Sequence, residues 1–152
     1  MDVGVYALRA ARLLTGDEPA SVSATETKTD SRKFSEVEEA MKFELRFPGG
    51  VVAQCATTYA ENGFQFRAFT ERGSFGMSPA FNYSGNRASR SDDVPLRLDE
   101  VDQFAAEMDD FAQRIMTGTR TSVPGEEGLR DVRIMLAAYE SARTGRTVSL
   151  RN

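Results

Sequence analysis

Between residues 41 and 47 the chain alternates strictly: Met41, Phe43, Leu45 and Phe47 are apolar, and Lys42, Glu44 and Arg46 between them are charged. Successive side chains on an extended strand point to opposite faces, so this register predicts a strand with one face in a core and the other in water. The turn Pro48-Gly49-Gly50 follows, and Val51–Tyr59 returns as a second strand, which makes a hairpin.

The other elements are placed around that hairpin. Val3, Tyr6, Ala7, Ala10, Leu13 and Leu14 recur at helical spacing and predict an amphipathic helix over residues 3–15, with Asp2 as its N-cap and Gly16 as its stop. A cap this close to residue 1 leads us to expect a further segment upstream. Ser21–Thr27 reads as a strand and 29–38 as a polar loop. After the Asn62-Gly63 turn, Phe64–Glu71 is a third long strand, and Arg72-Gly73 leads into a short one at Ser74–Met77. Residues 78–94 form a longer connection carrying Phe81, Tyr83 and Gly85. Pro95–Leu98 is a last short strand before a helix capped by Asp99. The stripe Val101, Phe104, Met108, Phe111 and Ile115 of that helix is expected to lie in the core. Pro124-Gly125 opens a second helix with Leu129, Val132, Leu136 and Tyr139 on one stripe. Gly145 ends it, and Thr147–Leu150 closes the chain as a strand. Strands in sequence followed by helices argue an α+β fold with a mostly antiparallel sheet. No second domain boundary is evident, so residues 1–152 read as one domain.

Charge and composition then narrow the chemistry. Hydrophobic content of 40% with 28% charged residues describes a globular chain. The net charge of −4 and the scatter of Arg46, Arg67, Arg72, Arg87, Arg90 and Arg97 argue against nucleic-acid or anionic-membrane partners. The chain has no histidine, which removes the commonest metal ligand and general base, and no metal site is expected. Cys55, the only cysteine, lies on a strand and reads as a buried, inert thiol. No apolar run reaches membrane-spanning length and no leader pattern is visible, so the expected location is cytoplasmic.

Proton chemistry must therefore use Tyr, Lys, Asp or Glu. Asp2 and Tyr6 are four apart at a helix start and project from one face, with Gly4 between them leaving room for close approach. A carboxylate beside a phenol can handle protons, although a cap and a core residue would show the same pattern. Tyr83 either leans over a substrate or is an ordinary loop aromatic. Glu126 and Glu127 suit a helix N-terminus. Phe47-Pro48-Gly49-Gly50 joins two strands rather than a strand to a helix, so nothing in the chain reads as a dinucleotide-binding turn.

Several segments, taken in order, resemble one family. Asp2-Val3-Gly4-Val5-Tyr6 with Leu13-Leu14-Thr15-Gly16-Asp17-Glu18-Pro19 is similar to the start of the C-terminal domain of glucose-fructose oxidoreductase-like (Gfo/Idh/MocA) dehydrogenases. Phe43–Gly50 resembles its central hairpin and Arg72-Gly73-Ser74-Phe75 a tight turn. Pro124–Arg133, Tyr139-Glu140-Ser141-Ala142 and Gly145-Arg146 resemble its last helix. The resemblance implies an open, mostly antiparallel β-sheet with helices packed on one face. It implies a C-terminal substrate-binding and oligomerisation domain of a sugar or polyol oxidoreductase. NAD or NADP would be bound mainly by a separate Rossmann domain, homo-oligomers would form through the sheet face, and the isolated chain would be inactive. The family's Asp-x-Gly-x-His/Tyr motif carries a catalytic role onto Asp2 and Tyr6, and Tyr83 would bind substrate. The family's Glu-Lys-Pro motif does not occur here. A phenol titrates at about 10 and becomes a base near neutrality only beside a cation such as that lysine. The competing readings are a ligand-binding cup resembling Bet v 1 or cyclase folds, or a module that only dimerises.

Overall fold

A computed structural model describes residues 2–61, 63–91 and 94–150. Two compact units make up the chain, residues 1–62 with 128–152, and residues 63–127. The order of elements is α1 (Gly4–Thr15), β1 (Ser21–Thr27), β2 (Ala40–Arg46), β3 (Val52–Thr58), β4 (Phe66–Thr70), β5 (Gly73–Met77), β6 (Ala88–Arg90), β7 (Val94–Leu96), α2 (Gln103–Thr117), α3 (Gly125–Thr144) and β8 (Val148–Ser149). The fold is α+β, as expected, with its strands in two open antiparallel sheets rather than one.

The first unit holds the sheet β3-β2-β1-β8. The alternation at residues 41–47 is realised as read: Met41, Phe43, Leu45 and Phe47 are buried. Register pairs Phe43 with Ala24 on one side and Cys55 on the other, so the apolar positions of three strands share a face. Leu8 and Ala11 of α1, and Ile134, Ala137 and Ala138 of α3, close over that face. Burying such side chains contributes about 1.5–3 kcal/mol each for the larger ones. Ser141 of α3 ties helix to sheet, its hydroxyl accepting from the Ala24 amide at 2.9 Å and donating to the Arg146 carbonyl at 2.7 Å. β8 follows α3 and pairs with β1, so the last described element is a strand, within the stretch read as one, and not the long helix that finishes a cup.

Gly16 and Gly145 stop α1 and α3 as expected, each at positive φ (66° and 68°) where a side chain would be strained. The start of α1 differs from expectation. Val3, not Asp2, is the N-cap residue, and it makes no side-chain cap bond. Val3 has φ −87° and ψ −11°, and its side chain carries no acceptor for the first amides.

The second unit holds the sheet β4-β5-β6-β7 and α2. β6 falls inside the stretch 78–94 that was read as a connection, and pairs Ala88–Arg90 with Phe75–Met77. α2 is capped by Asp102, not Asp99: its Oδ1 accepts from the amides of Phe104 (3.0 Å) and Ala105 (3.1 Å). The expectation of a core stripe is overturned, because no residue of α2 is buried. No helix among the described residues is long and apolar enough to cross a membrane.

Candidate active site at the start of the first helix

Asp2 and Tyr6 lie at the entrance to α1, and both are exposed, Tyr6 by 49%. α1 and α3 border an open cleft of about 410 Å³ lined by Asp2, Val5, Val132, Met135, Leu136 and Tyr139. Asp2 is thus a carboxylate at one end of an apolar trough. Tyr6 is not among the lining residues and presents its ring to solvent from the first turn of α1.

Two further phenols surround this carboxylate. The Tyr59 hydroxyl, just past the end of β3, donates to Asp2 Oδ2 at 3.4 Å. Burial and the negative charge of Asp2 hold the Tyr59 phenol above its ordinary range. Tyr59 in turn stacks with Phe34, centroids 6.3 Å apart, and the Lys33 ammonium stands 5.1 Å from the Phe34 ring. On α3, the Tyr139 hydroxyl donates to Glu38 Oε1 at 2.8 Å. Burial and that carboxylate push the Tyr139 phenol up as well. Tyr59 and Tyr139 therefore remain protonated donors near neutrality, and neither serves as a base there.

Glu38 and Tyr59 were not singled out in the sequence. Glu38 sits in a polar stretch that reads as solvated loop, yet it is buried. Its hydroxyl donor lies 101 residues away, a distance no local pattern reports. Cys55, read as a buried thiol, is partly buried on β3; it directs Sγ at the Ala7 carbonyl (3.9 Å), and burial pushes the thiol up to about 12.

Tyr83 belongs to the second unit and is 76% exposed, its ring 5.3 Å from that of Phe104. Its loop is closed by Asn82 and Asn86: the Asn82 amide donates to Asn86 Oδ1 (3.0 Å), and Asn86 Nδ2 donates to the Asn82 carbonyl (2.8 Å). Phe81, between buried Ala80 and this ring, adopts φ 62°. A non-glycine residue in that region costs roughly 1–3 kcal/mol, and such strain concentrates at functional loops.

The chain matches the sequence profile described as "Oxidoreductase family, C-terminal alpha/beta domain" over residues 1–150. It belongs to the Gfo/Idh/MocA oxidoreductase family. Two xylose dehydrogenases are similar to it across 99% of its length: D-xylose 1-dehydrogenase [NADP(+)] of Haloarcula marismortui, 30% identical, and D-xylose 1-dehydrogenase (NADP(+)) 2 of Haloferax volcanii, 34% identical. The chain spans 43% and 47% of those proteins, about half their length. Among solved structures, the aldose-aldose oxidoreductase of Caulobacter crescentus, complexed with glycerol, superposes with a TM-score of 0.91 at 38% identity, over 97% of this chain and 46% of that one.

Membership in the Gfo/Idh/MocA family raises the question of where a nicotinamide nucleotide would sit. The one Gly-Gly turn, at 47–50, is a hairpin: the Phe47 amide donates to the Val51 carbonyl (2.9 Å) and the Gly50 amide to the Phe47 carbonyl (3.0 Å). Among the described residues no strand runs through a glycine-rich turn into a helix. The described residues therefore do not fit a dinucleotide pyrophosphate, which needs the amides of such a helix start.

Proposed function

We propose that residues 1–152 are the substrate-side domain of an NAD(P)-dependent sugar or polyol oxidoreductase, supplying substrate-binding and acid/base groups to a site completed by a separate nucleotide-binding domain. What carries the reading is similarity, over nearly the whole chain, to enzymes named for xylose and aldose oxidoreduction, with an exposed carboxylate and phenol at the entrance to α1. Both xylose dehydrogenases are named for NADP(+), which favours NADP over NAD for this chain. The nucleotide is held mainly by the other domain, because the described residues here do not fit it.

Oxidising an alcohol carbon removes its hydroxyl proton, and the cofactor supplies the redox chemistry. Tyr6 receives that proton when a cation from the nucleotide-binding side stands beside its hydroxyl. Asp2, held by Tyr59, orients the substrate hydroxyl or that cation. Val5, Val132, Met135 and Leu136 line the open cleft beside this carboxylate and offer an apolar wall to a bound substrate. Tyr83, on its strained loop, offers a ring face to a sugar. The polar free face of the first sheet, with Ser23, Glu44 and Gln54 in register, is the surface for homo-oligomers.

The test joins this chain to an NADP-binding domain of a family member and measures NADP-dependent oxidation of D-xylose. The isolated chain should show no turnover. In the joined protein, Tyr6→Phe should lower kcat by about 10²–10⁴, the range of general acid–base catalysis, with an unchanged melting temperature because Tyr6 is half exposed. Unchanged turnover would remove Tyr6 from the chemistry.

A further inference from the structure

Tyr139 of α3 lines the same cleft as Asp2. Val132, Met135, Leu136 and Tyr139 recur at helical spacing, so the wall that α3 gives this cleft runs for roughly 10 Å and ends in the phenol. Behind that phenol stands a carboxylate. Glu38, 4% exposed just ahead of β2, accepts from the Tyr139 hydroxyl at 2.8 Å. Burial raises the Glu38 carboxyl, but the hydrogen bonds it accepts outweigh burial and leave it below its usual range, so it is ionised near neutrality. An ionised carboxylate only accepts. The one proton of the phenol is therefore committed to Glu38, and its oxygen meets any further partner as an acceptor. Donating to a charged group also polarises the phenol and strengthens it in that role.

Asp2, the other polar residue described in the lining, is an acceptor too, here of the Tyr59 proton. Two acceptors beside an apolar wall suit a ligand with several hydroxyl protons to donate and C–H faces to lay on the wall, as a sugar or polyol has. These residues all belong to the first unit, and none of the contacts involves the second. We propose that Tyr139 binds the sugar, accepting a hydrogen bond from a hydroxyl other than the one oxidised, and that Glu38 is the positioning residue that fixes the phenol's proton. Both roles hold only if this cleft is where the sugar binds, as proposed for the domain. A bond remote from the reacting carbon is alike in ground and transition states, so its loss falls on KM.

The chain joined to an NADP-binding domain is assayed with D-xylose and its monodeoxy analogues. Tyr139→Phe should raise KM for D-xylose by about 2- to 12-fold, the contribution of one neutral hydrogen bond, and change kcat less. For the analogue that lacks the bonded hydroxyl, wild type and Tyr139→Phe should share one KM. Glu38→Ala should raise KM on its own but add nothing to Tyr139→Phe. Glu38→Gln, which keeps an accepting oxygen, should recover most of that loss. A Glu38 that only supports the fold would lower the melting temperature and add its effect to that of Tyr139→Phe, which overturns its role. Should Tyr139→Phe strand the buried carboxylate and unfold the protein, Tyr139→Phe with Glu38→Gln is compared with Glu38→Gln instead. An unchanged KM, or a rise equal for every analogue, overturns the role of Tyr139, while turnover of D-xylose leaves the sugar site standing. No turnover by the joined wild type refutes the sugar site and this inference with it.

Discussion

Replacing Arg12 with methionine tests what holds the walls of the cleft together. Arg12 is 5% exposed and joins α1 to α3. Its Nη1 stands 2.5 Å from Asp131 Oδ1, and its Nε and Nη2 grip Glu18 at 2.9 and 2.5 Å. Methionine keeps most of the stem's volume but leaves the Asp131 carboxylate, 8% exposed, without its cation. An uncompensated buried charge of this kind costs about 3–5 kcal/mol. Losing Glu18 adds roughly 0–1 kcal/mol, because that carboxylate is half exposed and keeps Arg130 at 3.5 Å. At about 2–4 °C per kcal/mol for a chain of this size, the melting temperature should fall by about 6–24 °C. Urea unfolding followed by circular dichroism gives the free energy directly. The control is Arg12→Met with Asp131→Leu, which removes the stranded charge. A buried ion pair replaced by apolar residues is often near neutral, so most of the loss should return. A single variant costing less than about 1 kcal/mol, or a double variant as unstable as the single, would refute the claim that Asp131 depends on Arg12 for its burial.

The remaining expectations concern titration and local opening. Burial pushes the Cys55 thiol up to about 12 in the folded chain, whereas an unfolded thiol titrates near about 8.5. A raised folded value means that this contribution is intact below the unfolded value and is lost as pH rises toward the folded one, at about 1.4 kcal/mol per pH unit. Urea titrations between pH 8.5 and 10 should show the wild-type chain losing about 1–2 kcal/mol more than Cys55→Ala, and equal losses would show the thiol to be open to water. Native-state hydrogen exchange should find the amides of β4–β7 opening at lower free energy than those of β1–β3, because large buried side chains back only the first sheet. Equal protection across both sheets would contradict that.

How far the sequence could be read follows from which signals are local. The strand Ser21–Thr27 was placed to the residue, and the 41–47 alternation to within one. In both, composition and period act on the same few side chains. The glycine stops at 16 and 145 were legible because positive φ is a property of one residue. β6 was missed because Ala88-Ser89-Arg90 has no strand composition and owes its pairing to β5. Asp102 was passed over for Asp99, since both are good caps by type and only the chain's path chooses between them. At the site, Asp2 lines the cleft while Tyr6, one turn on, does not, and the residue at the N-cap of α1 is Val3 rather than the Asp2 that composition favours. The contacts of Asp2 with Tyr59 and of Tyr139 with Glu38 bridge 57 and 101 residues, beyond any window of local pattern.

The error over α2 is the most instructive, because its period was right. Helical spacing of Phe104, Met108, Phe111 and Ile115 reports which side of the helix is apolar and says nothing of what lies against it. The first unit answers that question internally, with Leu8, Val22, Met41 and Leu45 each almost wholly buried. The second does not: among its described residues only Gly76 and Ala80 are buried. Gly76 is buried by backbone rather than by a core, since a Cβ there would stand 2.3 Å from the Phe66 carbonyl oxygen. A sheet held mainly by its ladder, beside a helix with four large apolar residues in water, has most of its hydrophobic stabilisation still ungained. Whatever covers α2 therefore stabilises the unit that carries the strained loop of Tyr83, so cover over this stripe and order at that loop should rise and fall together.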